Sequence, residues 1–287
     1  MLYYILYPLM KLISFIPLGA LYAFSDGASW FIRRVLKYRI DVVTEQLTYA
    51  FPEKSEAEIQ VIIKKYYKGF TDQWIETVKS LSWNVKQLNQ HIEGDLSLID
   101  GEQPTFLIYL GHQFNWELAN LYSAASSSPK PFGVMYMPIK SKAFDRLFLK
   151  IRSRTGTTLI PADHFKKHIQ ALNKGPFTLS FIADQNPGAI EHAAWRTFFH
   201  REIPFLKTPF RMAHLFNARI VFASIKKKKR GRYHIDSKLI CEKARDFEVD
   251  ELVDQYVQHL EDSIREQPEN WLWTHKRWKH AGKNIQK

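Results

Sequence analysis

Residues 104–126 read PTFLIYLGHQFNWELANLYSAAS, and this stretch decides the fold. An apolar run as long as a short β-strand ends at Leu110, and a segment with helical spacing begins a few residues later. The same alternation continues along the chain. The predicted strands are 104–110, 131–137, 157–161, 176–183 and 218–225, and the predicted helices between them are 115–126, 141–153, 164–173 and 208–217. Strands alternating with helices predict an α/β fold, with a largely parallel central sheet flanked by helices.

The segments on either side of this region complete the predicted organisation. Residues 41–82 have the apolar spacing of a helical hairpin. The stretch GRYHIDSKLI at 231–240 predicts a late antiparallel strand, and residues 246–266 predict a long final helix. The sequence shows no internal repeat and no low-complexity linker. We therefore predict a membrane-associated helical segment at 1–40 and one α/β domain at 41–287.

The N-terminal segment is strongly apolar. Residues 2–24 are just long enough to span a bilayer, for which about 20 apolar residues are needed, but Lys11 and two prolines interrupt the run. A helix or helix pair lying at the membrane interface, or a single anchor, fits this pattern better than a buried soluble helix. The basic flank FIRRVLKYR at 31–39 suits anionic lipid and predicts the cytoplasmic side. Whether the segment spans or lies on the bilayer stays open.

Charge and cysteine content narrow the classes of partner and compartment. The 287 residues include 41 Lys and Arg against 29 Asp and Glu, and the formal charge of +12 predicts an anionic partner: nucleic acid, a phospholipid surface or a phosphorylated substrate. The single cysteine, Cys241, excludes an internal disulfide and a cysteine-rich zinc site, and it fits a reducing compartment. The sequence has no compact cluster of ligand residues, so we expect neither a metal nor a cofactor.

His112 and Glu117 are the first candidates for chemistry, because they follow a strand at the edge of the sheet where ligands gather. In a continuous helix, steps of about 100° per residue would set them well apart around the axis. They can meet only if His112 lies in the turn and Asn115 caps a helix that begins after it. The carboxylate would then fix the imidazole as a general base. The alternative is that His112 caps a turn and Glu117 complements the helix dipole.

The wider pattern resembles one family. GHQFNWE at 111–117 is similar to the H-x4-D/E block of the glycerolipid and lysophospholipid acyltransferase superfamily, in the form typical of the lipid A biosynthesis late acyltransferases. Other stretches resemble that family in order and spacing over nearly the whole chain. They are 7–26, 47–79, MPIKSKAFDRLFLKIRSRTG at 137–156, FIADQNP at 181–187 and ENWLWTHKRWK at 269–279. No serine-hydrolase elbow, zinc-protease motif or nucleotide-binding glycine loop is present in the sequence.

The resemblance implies an O-acyltransferase at the cytoplasmic face of the inner membrane. Such an enzyme moves a fatty acyl chain from an acyl carrier protein or coenzyme A thioester to a hydroxyl of a lipid A precursor, so His112 would be the base and Glu117 its orienting partner. The residues that it assigns to substrate binding are Arg154, with Arg152 as the less favoured alternative, Asp184, Gln185 and Asn115. The implied partners are the acyl donor, an anionic glycolipid acceptor and membrane phospholipids.

Some details and alternatives stay open. His200 stands where the family has glycine or another small residue, which leaves the acceptor and the chain length undecided, and the phenylalanines between 198 and 210 suit either core or an acyl channel. The basic run 226–230 predicts a solvated turn. The C-terminal tryptophans predict an interfacial belt. We therefore expect no nucleic-acid partner. The alternatives are another glycolipid or lysophospholipid acceptor, or a non-catalytic lipid- or nucleic-acid-binding protein.

Overall fold

A computed structural model describes residues 1–99, 105–126, 130–164 and 175–283 of the chain. The helices are α1 (Leu2–Ile13), α2 (Leu18–Arg34), α3 (Ile40–Ala50), α4 (Glu56–Ser80), α5 (Val85–Asn89), α6 (Trp116–Ser126), α7 (Lys142–Arg152), α8 (Thr208–Phe216) and α9 (Val249–Glu266). The strands are β1 (Ile92–Gly94), β2 (Phe106–Leu110), β3 (Phe132–Tyr136), β4 (Thr158–Pro161), β5 (Thr178–Ile182), β6 (Ala194–Phe198), β7 (Arg201–Phe205), β8 (Arg219–Lys229) and β9 (Arg232–Cys241). The predicted helix at 164–173 lies almost wholly outside the described residues.

Seven strands form the central sheet, in the order β1-β9-β8-β2-β5-β3-β4. In the described part of the chain every neighbouring pair is parallel except β8 and β9, which form an antiparallel hairpin. The predicted α/β class, the largely parallel sheet and the antiparallel late strand are thereby confirmed. The register pairs Leu110 of β2 with Ile182 of β5. The carboxyl ends of these two central strands are therefore level, and the residues that follow them lie side by side.

The central strands are buried on both faces, as expected for a parallel sheet between helical layers. Side chains of β2 alternate between two apolar clusters. Leu107 and Tyr109 join a cluster that includes residues of α8 and α9, whereas Phe106, Ile108 and Leu110 join a cluster that includes residues of α5 and α6. This burial on both sides explains why the strand is continuously apolar rather than alternating.

The C-terminal tryptophans belong to the core, so the predicted interfacial belt is wrong. Trp271, Trp273 and Trp278 are at most 9% exposed, and their rings contact one another. A β-bridge between Trp271 and Gln113 draws this segment against the end of β2. Four phenylalanines, which the sequence left between core and channel, pack in the same cluster: Phe198, Phe199, Phe205 and Phe210.

A small antiparallel sheet of β6 and β7 was not predicted from the sequence. Its turn consists of Phe199 and His200, whose φ angles are 46° and 70°. A two-residue hairpin turn that matches the twist of its strands needs left-handed backbone at both positions, and glycine adopts that conformation at the lowest cost. His200 occupies a position where the turn itself favours a residue such as glycine.

The N-terminal segment is a pair of helices packed against the domain. Among the described residues, no single helix is long and apolar enough to cross a membrane; α1 and α2 taken together meet that criterion by length and composition alone, with a bend of 116° between them. Helix α1 packs against α7 and α4, and α2 packs along α4. The long helix α4 in turn contacts α6 and residues 268–270, and so it connects the N-terminal pair with the rest of the domain.

Candidate active site

His112 and Asp184 meet at the carboxyl ends of β2 and β5. Each is the second residue after its strand, and because the two strand ends are level, the two side chains lie beside each other. The Asp184 carboxylate accepts a hydrogen bond from His112 Nδ1 over 2.5 Å and another from the His112 backbone N–H over 2.8 Å. Gly111 permits this close approach, since a Cβ there would lie 2.5 Å from Leu260 Cδ1 and 3.2 Å from Asp184 Oδ2.

Asp184 is a buried carboxylate that is held as an anion. Burial alone would raise its pKa, but the charge that His112 can carry and the hydrogen bonds from His112 and Trp271 lower the pKa to about 2. The Trp271 indole N–H donates over 2.6 Å. An ionised carboxylate only accepts hydrogen bonds, so Nδ1 of His112 carries a proton. In the neutral imidazole the lone pair is then on Nε2, which is the arrangement of a general base.

Gln185 lies at this second ring nitrogen of His112. Its side-chain nitrogen is 3.2 Å from Nε2, and with the lone pair on Nε2 the Gln185 amide is the donor. The His112 side chain is 19% exposed, so a ligand can approach it from outside. A hydroxyl that gives its proton to Nε2 must therefore displace the amide or lie next to it. Gln185 is brought to the site as predicted, and its role in substrate binding stays a prediction.

The predicted helix start at Asn115 is confirmed. Helix α6 begins at Trp116, and the Asn115 side-chain oxygen accepts hydrogen bonds from the backbone N–H groups of Glu117 over 3.2 Å and Leu118 over 3.3 Å. These bonds satisfy two amides of the first turn, which is the function of an N-cap. His112 lies in the preceding turn, as the geometry required. Asn115 is completely buried, and the structure gives it this capping role within the protein.

Glu117 is not the partner of His112, which corrects the predicted dyad. In the described part of the chain its carboxylate is bound by Arg152, through Nε over 2.9 Å and Nη2 over 2.5 Å, and by the indole N–H of Trp116. Burial opposes a charge on Arg152, but the Glu117 carboxylate outweighs it and raises the guanidinium pKa. The first turn of α6 directs Glu117 toward the end of α7, whereas the nitrogen that it was expected to orient is bound to Asp184.

Arg154 has an internal role. Its two terminal nitrogens donate to backbone carbonyls, one to that of Ser80, the last residue of α4, and one to that of Trp83 in the turn before α5. The last carbonyls of a helix have no partner within the helix, so the guanidinium helps to satisfy that of Ser80. The predicted binding of a substrate phosphate by Arg154 has no contact that supports it and stays a prediction, as does the role of Asp184 in holding the acceptor.

The C-terminal segment completes the site, and the sequence did not reveal this role. Trp271 donates a hydrogen bond to Asp184, and the backbone N–H of Leu272 donates to the carbonyl of His112 over 3.1 Å. The backbone N–H of Phe114 donates to the carbonyl of Asn270 over 3.1 Å. The one signal available in the sequence was that this segment carries one of the stretches resembling the acyltransferase family. These contacts hold the loop of His112 in place.

Comparison with protein families identifies the family to which the chain belongs. The family described as bacterial lipid A biosynthesis acyltransferase matches residues 1–280, which is nearly the whole chain. The chain belongs to this family. The resemblance seen in the separate stretches is thus confirmed, and the protein is an acyltransferase of lipid A synthesis. A comparison with curated proteins finds none that matches.

The arrangement gives this lipid A biosynthesis acyltransferase a means of general-base catalysis. A neutral imidazole, fixed in one tautomer by a buried carboxylate, can take a proton from a hydroxyl. Among the described residues, no group of three or more His, Cys, Asp or Glu side chains is placed to hold a metal ion. At the ends of β2 and β5, hydrogen bonds join His112 to Asp184 and to Gln185.

Proposed function

We propose that this acyltransferase moves a fatty acyl chain from an acyl thioester to a hydroxyl of a lipid A precursor, with His112 as general base and Asp184 as its orienting carboxylate. The observation that carries the proposal is the His112–Asp184 pair, which leaves the Nε2 lone pair for the acceptor. The donor is the thioester of acyl carrier protein or coenzyme A. The formal charge of +12 suits both an anionic donor and an anionic acceptor.

The reaction follows from this geometry in two steps. The acceptor oxygen attacks the thioester carbonyl carbon while its proton passes to Nε2 of His112, and Asp184 stabilises the imidazolium that forms. The tetrahedral oxyanion then collapses, the C–S bond breaks, and the leaving thiolate takes the proton from the imidazolium. The products are an ester and a free thiol, without an acyl-enzyme. A positioned base of this kind contributes about 10²–10⁴-fold to the rate.

The outer surface of α1 and α2 supports action at a membrane. Large apolar side chains are exposed on this pair of helices: Leu2, Ile5, Leu9, Leu12, Phe24, Trp30 and Phe31. Lys11 of α1 instead faces the protein and donates to the backbone carbonyl of Leu81 over 2.5 Å. A helix in water normally exposes its charged side chains and buries its apolar ones. Helix α1 has the opposite arrangement, which fits a helix at a lipid interface. We place the enzyme on the cytoplasmic leaflet, because the basic flank at 31–39 suits anionic lipid.

Replacement of the base tests this function. With the enzyme in lipid vesicles, an acyl carrier protein thioester and a lipid A precursor, His112→Ala should lower kcat by about 10²–10⁴-fold. Folding and vesicle binding should stay unchanged, which circular dichroism and sedimentation would check. Full activity in His112→Ala would contradict the mechanism.

Mass spectrometry of lipids from cells with and without the gene tests the acceptor. Loss of one acyl chain from lipid A supports the proposal and identifies the chain length as well. Loss of a chain from another glycolipid or from a phospholipid would show that the proposed acceptor is wrong, while acyl transfer itself would still be supported.

A further inference from the structure

A second carboxylate, Glu76 of α4, is buried behind the site and has no part in the proposed mechanism. It is completely buried, and burial raises its pKa, although the charge of Lys227 and three hydrogen bonds act in the opposite direction. The donors are the hydroxyls of Tyr233 over 2.7 Å and Tyr22 over 2.8 Å, and Nδ2 of Asn115 over 3.1 Å. Burial of a carboxyl group costs free energy of folding, so the hydrogen-bond partners of Glu76 indicate its role.

Asn115 connects Glu76 to helix α6. Its Oδ1 caps the first turn of α6, while its Nδ2 donates to Glu76. The Glu76 carboxyl group accepts a hydrogen bond from Nδ2 of Asn115, and it therefore favours the amide orientation in which the oxygen faces the helix. Asn115 stands three residues after His112 and two before Glu117. Glu76 thus fixes the end of the loop that begins at the base.

Tyr22 connects the same carboxylate to the outer helix α2. The Tyr22 ring also lies under the guanidinium of Arg230, 4.2 Å from the ring centroid, at the turn between β8 and β9. Phe24 and Trp30 of the same helix are 69% and 59% exposed. One carboxylate therefore joins the helix proposed to contact lipid to the loop that carries the base.

We propose that Glu76 is a positioning residue for acyl transfer. Through Asn115 it holds the start of α6 and the loop of His112, and through Tyr22 it makes that geometry depend on the placement of α2. This inference rests on the acyltransferase function proposed above. Glu76 acts through Asn115 and needs no contact with either substrate.

Asp72 provides a matched control on the same helix. It lies one turn before Glu76 and is also completely buried. Its carboxylate accepts from Arg230 Nη2 over 2.6 Å and from the Ser25 hydroxyl over 2.8 Å, so it too links α4 to the β8–β9 turn and to α2. The described contacts of Asp72 do not include Asn115. Asp72→Asn therefore changes a comparable buried carboxyl group without touching the N-cap of α6, while Arg230 keeps its hydrogen bonds to Asp26 of α2.

Steady-state kinetics of the full chain in vesicles compare the two variants. Glu76→Gln should lower kcat by about tenfold to a hundredfold, the range expected when a catalytic group is displaced slightly, and leave KM within about twofold. Asp72→Asn should keep kcat within about twofold after correction for the folded fraction, which thermal unfolding supplies. Tyr22→Phe should give a smaller loss than Glu76→Gln. An equal loss of kcat in Glu76→Gln and Asp72→Asn, or no loss in Glu76→Gln, would overturn the proposal.

Amide hydrogen exchange separates failure of this inference from failure of the proposed function. Glu76→Gln should speed exchange of the Leu118 amide, whose partner is Asn115, and Asp72→Asn should not. If Glu76→Gln speeds exchange but the native chain has no acyltransferase activity, the proposed function is wrong and the structural role of Glu76 is supported. Unchanged exchange in an active chain would overturn the positioning role and keep the function.

Discussion

At the scale of single residues, the site depends on the ionised carboxylate of Asp184. His112 donates two hydrogen bonds to it and Trp271 donates a third. Burial alone would raise the pKa of Asp184, but these contacts lower it from 3.8 to about 2. A carboxyl group with a depressed pKa stabilises the fold above its ordinary pKa, and this contribution is lost as the pH falls through the lower value.

Asp184→Asn should therefore change how stability depends on acid pH. The shift from 3.8 to about 2 corresponds to about 2 kcal/mol of unfolding free energy. We expect the difference in unfolding free energy between the native chain and the variant to be fully present above about pH 4 and to shrink toward pH 2. Urea unfolding at a series of pH values measures this difference. A difference that stays constant over this range would mean that Asp184 is not the titrating partner.

The ion pair of Glu117 and Arg152 should be structural. Arg152→Ala leaves a buried carboxylate without its main partner and should lower the unfolding free energy by about 3–5 kcal/mol. Adding Glu117→Gln should restore part of that loss, because it removes the uncompensated charge. Denaturant unfolding of both single variants and the double variant gives the coupling between them. Strictly additive losses would show that the pair is not coupled.

The partner of His112 shows what the sequence could and could not predict at this scale. The helix start at Asn115 follows from local chemistry, so His112 was correctly placed in the preceding turn. Glu117 was assigned as partner because it is near in the chain. Asp184 is 72 residues away and becomes a neighbour only because β5 lies next to β2 in equal register. Strand order is a long-range property that apolar periodicity does not contain.

At the scale of elements, the β6–β7 hairpin shows a similar limit. Its strands lack the clear alternation that predicts a half-buried strand, because residues 194–205 pack largely into the core. The turn signal was also hidden, since the two central positions are Phe199 and His200 rather than glycine or asparagine. Within the described residues, the strands and helices of the central layer follow a regular rhythm and were predicted from the sequence with small differences in their ends, whereas the predicted helix at 164–173 is not tested.

His200→Gly should stabilise the hairpin slightly. Left-handed backbone costs a residue with a side chain about 1–2 kcal/mol, whereas the extra freedom of an unfolded glycine costs about 0.5–1 kcal/mol. The net gain should be about 0.5–1 kcal/mol, which thermal unfolding can detect. As a control, Arg201→Gly in the adjacent strand should destabilise, since it also loses the contact of Arg201 with the Tyr49 ring. A loss of stability in His200→Gly would contradict this interpretation of the turn.

At the scale of the whole molecule, the N-terminal helices pack against the domain and are held there by side-chain contacts. Arg230 at the β8–β9 turn donates to Asp26 of α2 and to Asp72 of α4. The basic run that predicted a solvated turn thus includes a residue that pins α2 in place. The composition of the segment predicted its outward apolar surface, but its attachment depends on a hairpin some 200 residues later in the chain.

A charge on this outer surface should weaken membrane binding. Leu12 and Leu215 are exposed to similar extents, 68% and 65%, on α1 and α8. Leu12→Glu should reduce binding to anionic vesicles by about tenfold, since it removes buried apolar area and adds a negative charge at the lipid surface. Leu215→Glu should leave binding nearly unchanged. Equal effects in a vesicle sedimentation assay would show that α1 is not the membrane-facing element.

The central claim is that His112 and Asp184 act as one catalytic unit, and a double-variant cycle on the rate of acyl transfer tests it most directly. His112→Ala and Asp184→Asn are measured singly and together with the same thioester and lipid A precursor. If the two residues act as one unit, each single change lowers kcat by about 10²–10⁴-fold, and the double variant is no slower than His112→Ala alone. Losses that multiply in the double variant, or near-native kcat in Asp184→Asn, would contradict the claim.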